Sequence, residues 1–389
     1  MKEIVNNSFT ENKIQLIESG KAYFNLLIKL ILNATENIHI QTYIFNNDET
    51  GESIVNALKI ASLKNVQIYL LVDGYASKNL SEKFIENLQI EKINFRFFKP
   101  FFKNNNFYFG RRLHHKMIVI DSKFAVVGGL NIADRYNDCK EVKAWLDYAI
   151  LLEGPIAKEL CILCWKSWNG YKINKTNIYC KNTNPEFKFI EKETALCTMR
   201  RNDWVRNKNE ISKSYQKIIK NANQEIIIIC SYFIPGQLIR KKLKQTALRG
   251  VNIKLILASQ SDVKIAKSAE RWMYDWLLRN NIRIYEYQPT VLHAKMAVVD
   301  GNFVTIGSYN INNISEFASI ELNIDVQNKL FAEEVTSTLN KIIAEDCVEI
   351  TNDSHLKDKT IFKLLYYWIC YKIYRISFFL CTFYFKRQE

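Results

Sequence analysis

Two histidines and two lysines are the residues of this chain best suited to chemistry. His114 and Lys116 stand two positions apart in LHHKMIVIDSKFAVVGGLNI, from Leu113 to Ile132, and the chain repeats that stretch as LHAKMAVVDGNFVTIGSYNI from Leu292 to Ile311. At an offset of 179 residues the copies share ten of twenty positions, among them His114/His293, Lys116/Lys295, Asp121/Asp300, Gly128/Gly307 and Asn131/Asn310. A neutral imidazole is a competent nucleophile toward phosphorus, and a protonated one can hand its proton to a leaving alkoxide. Two such rings around one phosphate tend to hold different protonation states, while lysine and asparagine neutralise the non-bridging oxygens as charge builds. The residue types therefore point to phosphodiester exchange that needs no metal or other cofactor, with Asn131 and Asn310 placing amides over the phosphate.

Each copy reads as a hairpin. Met117–Ile120 and Met296–Val299 are apolar and largely β-branched, Asp121-Ser122 and Asp300-Gly301 supply turn residues, and Phe124 and Phe303 begin the return strands. Alternate side chains of a strand share a face, so His114 and Lys116 point one way and His115 the other. Asp121 and Asp300 complete the motif, but their odd spacing from the lysines puts them on the opposite face, as supports for the hairpin. One active site built from both copies requires the two halves to face each other about a pseudo-twofold axis.

The chain's 389 residues suggest two to three domains at ~150 residues each, and 48% apolar residues are enough for sizeable cores. A net charge of +14 points to a polyanionic partner, an anionic membrane surface, nucleic acid or both, with a solvated lysine-rich surface as the plain alternative, and charge does not choose among them. Nine cysteines without framework spacing and an amino terminus lacking an apolar signal core predict a reduced, cytosolic protein. Cys161 and Cys164 form a lone CxxC that no second pair completes as a metal site.

Around the motifs, Asn37–Phe45, Gly51–Lys64 and Val66–Asp73 read as strand, helix and strand, a βαβ unit feeding a largely parallel sheet. A basic, aromatic loop, Lys99–Arg112, leads to His114. The second half replays the plan: helix Glu210–Ala222, strand Glu225–Ile234, helix Gln237–Arg249, strand Val251–Ala258, a long helix Val263–Asn280 and strand Ile282–Gln288. The expected domains are 1–170, a linker over 171–192, a second half over 193–350 and a tail over 351–389. That tail, IFKLLYYWICYKIYRISFFLCTFYF from Ile361 to Phe385, is interrupted by Lys363, Lys372 and Arg375 and has no uninterrupted apolar run long enough to span a bilayer. It reads as a helix lying among lipid headgroups. His39 reads as a hydrogen-bonded core residue, His355 as exposed, and Trp272, Tyr274 and Trp276 as packing on the long helix.

The pattern HxKxxxxD, followed by Gly-Gly or Gly-Ser and then Asn, resembles the phospholipase D superfamily in both copies. The resemblance implies a duplicated α/β fold, two α/β/α halves with mixed, largely parallel sheets and the active site at their seam. It implies His114 as the nucleophile that forms a phosphohistidine and His293 as the acid that then becomes the base. Asp147 in WLDYAI and Glu321 in IELNID fall where family members keep carboxylates that orient these histidines. QTYIFNNDETGESIVNAL, GGLNIADRY and IYEYQPTVLHAKMAVVDG further resemble bacterial cardiolipin synthases, in the shorter form without amino-terminal membrane spans. The second copy departs from many members at Asn312-Asn313-Ile314-Ser315, where they carry Asp at the first of these positions and Arg-Ser at the last two. The resemblance implies transfer of a phosphatidyl group to phosphatidylglycerol at the cytoplasmic face of the cell membrane, with phosphatidylethanolamine as a further candidate donor, peripheral attachment through the tail and no nucleic-acid partner. A hydrolytic phospholipase D and a metal-independent nuclease of the same superfamily are the alternatives.

Overall fold

Fifteen strands can be followed edge to edge in an order that mirrors itself about the middle of the molecule. The computed structural model describes residues 9–99, 102–103, 106–107, 111–139, 141–171, 180, 194–357 and 360–386. From the first edge the strands run Ile93–Phe98, Gln67–Asp73, Asn37–Thr42, Lys116–Ile120, Phe124–Gly128, Tyr148–Glu153 and Thr10–Glu18. Thr10–Lys13 then pairs with Thr194–Cys197, and the sequence of elements returns through Ser319–Gln327, Phe303–Gly307, Lys295–Val299, Glu225–Cys230, Asn252–Ala258, Ile282–Tyr287 and Cys347–Ile350. The pseudo-twofold axis passes between Thr10–Glu18 and Thr194–Asp203, so the halves share one continuous sheet. Within each half's run, parallel pairing joins only the three strands of the βαβ units. The motif hairpins are antiparallel because tight turns join their strands, and the central strands, which are distant in the chain, also pair antiparallel.

Local sequence explains most elements. Ile226–Ile229 is an unbroken run of isoleucines because both faces of its strand are covered. Helix Glu49–Leu63 starts where the Asp48 carboxylate accepts the Gly51 N–H at 3.0 Å. A shared core lies under helices Pro155–Trp168 and Lys329–Asp346 and draws on both halves, from Ile14 and Val127 to Ile306 and Leu339. Separate cores fill the opposite face of each half.

Several expectations are corrected. The strand Thr194–Asp203, on which the junction rests, was not foreseen, and neither was Cys347–Ile350. The long helix Val263–Asn280 is two, Lys264–Trp272 and Tyr274–Arg279, broken at Met273. That break buries Tyr274, while Trp272 and Trp276 stay partly exposed. Cys161 is joined to Cys180 in a disulfide, with a Cα–Cα separation of 6.3 Å, against the expectation of a wholly reduced chain. His39 is buried between Tyr69, stacked at 4.9 Å, and Trp165, edge-on at 4.8 Å, and its nitrogens have no hydrogen-bond partner among the described residues. It is core, as expected, but it packs as an aromatic ring. His355 is half-buried and lies 6.1 Å from the Tyr274 ring.

The tail is a helix over Ile361–Lys386 that packs one side against Lys264–Trp272, burying Cys370 and Tyr374 with Ile234 and Ala269. Its other side leaves Ile361, Phe362, Leu365 and Ile376 more than half exposed. Among the described residues no helix is long and apolar enough to cross a membrane. The expected linker 171–192, apart from 171 and 180, and much of the Lys99–Arg112 loop lie outside the described residues.

Candidate active site

The two histidines are held by the opposite half. The backbone N–H of His114 donates to Ile320 O at 3.0 Å, and that of His293 donates to Leu146 O at 2.8 Å. The residue after each carbonyl is a carboxylate. Glu321 Oε2 lies 3.0 Å from His114 Nδ1, and Asp147 Oδ2 lies 2.6 Å from His293 Nδ1. Each ring is thus oriented through Nδ1 by a fully buried carboxylate from across the seam, which leaves Nε2 for the substrate. The family resemblance singled out Asp147 and Glu321 as carboxylates downstream of His114 and His293 respectively, whereas the structure exchanges them, Glu321 holding His114 and Asp147 holding His293.

The small residues after each hairpin make room for these carboxylates. A Cβ at Gly129 would stand 2.4 Å from Asp147 Oδ1, so the position must be glycine while that carboxylate is in place. Its counterpart Ser308 instead uses its side chain, donating its hydroxyl to Glu321 Oε2.

Lys116 and Lys295 are buried and donate to the carbonyls of His114 and His293, the former at 2.5 Å. Burial outweighs the nearby carboxylates and lowers Lys116 to about 7, and it lowers Lys295 as well. An anion bound between them would restore their protons. Burial also lowers His114, with Glu321 opposing and Lys116 assisting, and lowers His293 well below its usual value with help from Lys295 and Lys116. Burial raises Asp147 to about 7. Asp147 and His293 lie 2.6 Å apart, close enough for the protonation of one to bear on the other.

Other residues complete the surround. Asn131 donates its amide to the Tyr136 hydroxyl at 2.9 Å and accepts from Ile44 N–H at 3.0 Å, while Asn310 accepts from the Ser231 hydroxyl at 2.8 Å. Both asparagines are buried and tie loops to the site. The Tyr136 hydroxyl lies 3.5 Å from His293 Nε2, and the Tyr43 ring stands edge-on to His114 at 4.9 Å. Sequence reasoning missed both tyrosines, although Tyr136 sits in GGLNIADRY beside residues it did single out.

Asp121 and Asp300, the aspartates that complete the two motifs, stand apart from the histidines and lysines. Asp121 accepts from the N–H groups of Thr35, Glu36 and Asn37 and from the Thr35 hydroxyl, all at 2.8–2.9 Å, at the far end of its strand. Asp300 does the same for Asn223, Gln224 and Glu225. They hold the turn, as their spacing suggested. His115 points into the core, its Nε2 2.9 Å from Gln41 Oε1.

Oriented imidazoles, lysines and buried carboxylates gathered from two homologous halves suit chemistry at a phosphodiester, and with this fold they define a phospholipase D-like protein carrying both half-sites in one chain. Residues 27–151 and 215–343 match the family described as cardiolipin synthase, PLD-like domain, and the chain belongs to that family. It is 32% identical to cardiolipin synthase B of Escherichia coli (strain K12) over 87% of this chain and 82% of that one. It is 28% identical to the cardiolipin synthase of Clostridium perfringens (strain SM101 / Type A) over 92% and 76%. The crystal structure of a phosphatidylserine synthase from Haemophilus influenzae Rd KW20 shares the fold at a TM-score of 0.73, with 14% identity and 97% of each chain covered.

Proposed function

We propose that this chain is a phospholipid phosphatidyltransferase that makes cardiolipin, passing a phosphatidyl group to phosphatidylglycerol through a phosphohistidine. The Nε2 lone pair of His114 forms the N–P bond as the donor's P–O bond to its head group breaks, and the departing oxygen takes a proton from His293 Nε2. The acceptor hydroxyl then forms the new O–P bond, gives its proton to His293, and the N–P bond breaks with its electron pair returning to His114. Lys116 and Lys295 hold the non-bridging oxygens throughout, so no metal or other cofactor is required. Asp147 and Glu321 act through the rings they orient.

The observation that carries this reading is the reciprocal pairing, each motif histidine held by a carboxylate of the other half, in a chain of the cardiolipin synthase family. His114 keeps 17% of its side chain exposed against 8% for His293, which favours it as the ring that meets the donor phosphorus. The donor is phosphatidylglycerol, with phosphatidylethanolamine as a second candidate. The protein works at the cytoplasmic face of the cell membrane, bound peripherally through the Ile361–Lys386 helix. In support, a groove of about 540 Å³ between that helix and Lys264–Arg279 is lined by Trp272, Trp276, Leu365 and Trp368. The boundaries 1–170, 171–192, 193–350 and 351–389 remain the proposed division of the chain.

Labelled phosphatidylglycerol, with and without phosphatidylethanolamine, should yield diphosphatidyl lipid and free head group in the presence of EDTA. His114→Ala and His293→Ala should make none, whereas His115→Ala should retain synthesis per folded molecule. Phosphatidic acid as the sole product would replace synthesis with hydrolysis.

A further inference from the structure

The repeat is symmetric where the chemistry is done twice and asymmetric beside it. Four and five residues after Asn131 come Arg135 and Tyr136, whereas four and five after Asn310 come Ile314 and Ser315. Tyr136 reaches across the seam to His293. Arg135 lies over the rings of Tyr136 and Trp145, at 5.5 and 5.1 Å from their centroids, and its charge is felt at His293. It bonds to Tyr136, but its Nε is buried without a partner, and no carboxylate pairs with it among the described residues. Arg111, Arg112 and Arg200 are matched, by Asp203 at 2.8 Å, Asp73 at 3.4 Å and Asp325 at 2.9 Å; Arg201 and Arg240 also keep a buried Nε without a partner among the described residues, but only Arg135 of these three is felt at His293. Arg135 is thus a guanidinium set over two aromatic rings on the His293 side of the site.

In-line displacement requires the acceptor hydroxyl to approach phosphorus opposite the bond to His114, from the side where His293 removes its proton. A phosphatidylglycerol acceptor carries its own phosphodiester anion three carbons from that hydroxyl. The motif lysines are already engaged by the reacting phosphate, so a second anion needs a further cation. A planar guanidinium suits two phosphate oxygens at once. We propose that Arg135 binds the phosphate of the acceptor lipid, so that the acceptor head group docks on the His293 side and the donor on the His114 side. This rests on the transferase reading above and adds to it the residue that selects an anionic acceptor.

The test pits phosphatidylglycerol against an uncharged alcohol, 1,3-propanediol, as acceptors in one reaction with a labelled phosphatidyl donor. The readout is the ratio of diphosphatidyl lipid to phosphatidylpropanediol. Arg135→Gln should lower that ratio about tenfold or more, the scale of a lost bond to a charged group. Arg135→Lys keeps the charge, loses the fork and should fall between, and it decides the question if Arg135→Gln does not fold. A ratio unmoved in the variants, or both products falling together, overturns the proposal. Wild-type protein that forms neither product would instead refute the transferase reading itself.

Discussion

Replacing Asp147 by asparagine tests the crossed arrangement most directly. Asp147 Oδ2 accepts from His293 Nδ1 at 2.6 Å, and both groups are shut away from water. A hydrogen bond to a charged group is worth about 1.5–3 kcal/mol, which alone corresponds to roughly 10- to 150-fold in rate. Asparagine adds a second loss. If its amide nitrogen turns to Nδ1 it donates instead of accepting, which fixes the proton on Nε2 and prevents the imidazolium from forming. The same change behind a catalytic histidine in serine proteases costs about 10⁴-fold. For Asp147→Asn we expect kcat to fall about 10³-fold or more, with KM within a few-fold, because the carboxylate touches no substrate. Asp147→Ala leaves room for water at Nδ1 and should lose less, about 10²-fold. Initial rates of diphosphatidyl lipid formation under saturating lipid, normalised to folded protein, provide the assay. An asparagine variant that keeps more than about a tenth of wild-type kcat would refute the assignment of Asp147 as the group that orients the His293 ring.

The acidic limb of kcat/KM should lie below pH 6.5, because burial lowers His114, and Glu321→Gln should move it lower still by removing the carboxylate that raises it; a limb that moves up or stays would contradict this. Burial holds His39 at about 3, so it contributes stability above pH 6.5 that is lost as pH falls toward 3, about 1.4 kcal/mol per unit. His39→Phe should therefore gain about 2 kcal/mol on wild type between pH 7.5 and pH 5 in denaturant titrations. Ser122 sits at φ 55° with a buried hydroxyl that has no hydrogen-bond partner among the described residues, where the other copy has Gly301, so Ser122→Gly should stabilise by about 1 kcal/mol in denaturant titrations. Asp121→Ala removes four accepted hydrogen bonds and should cost about 2 kcal/mol of stability while leaving kcat per folded molecule within a few-fold; a loss of kcat comparable to that of His114→Ala would put Asp121 back among the reacting residues.

The features legible in the sequence were local. The HxK spacing, the turn residues and the βαβ periodicity each act within a few residues, and the strands and helices around them fall close to where they were expected. The missing pieces depend on contacts between distant parts of the chain. TALCTMRRND alternates poorly and becomes a strand only because Thr10–Lys13 and Glu321–Gln327 flank it on either side. The link between Cys161 and Cys180 joins a helix to a residue in a polar stretch with no periodicity. The break at Met273 serves the buried Lys267, Glu270, Tyr274 and Glu286 cluster, in which Tyr274 donates to Glu286 at 2.8 Å. No apolar period could announce such a polar cluster.

The crossed carboxylates also bear on why both half-sites occupy one chain. A half cut from the other would keep its histidine and lysine but lose the group that orients the ring and the carbonyl that fixes its backbone. Neither motif is a site until the sheet closes between Thr10–Glu18 and Thr194–Asp203, so closure of the fold and assembly of the chemistry are one event. Two identical halves would satisfy that requirement equally well, but they would present the same surroundings to both lipids. Joining them in one chain frees positions outside the shared ten to diverge: Gly129 from Ser308, Arg135 from Ile314, Tyr136 from Ser315. On the proposed mechanism the retained identities would serve displacement at phosphorus, which occurs twice, while Arg135 and Tyr136 would lie where the two lipids are told apart.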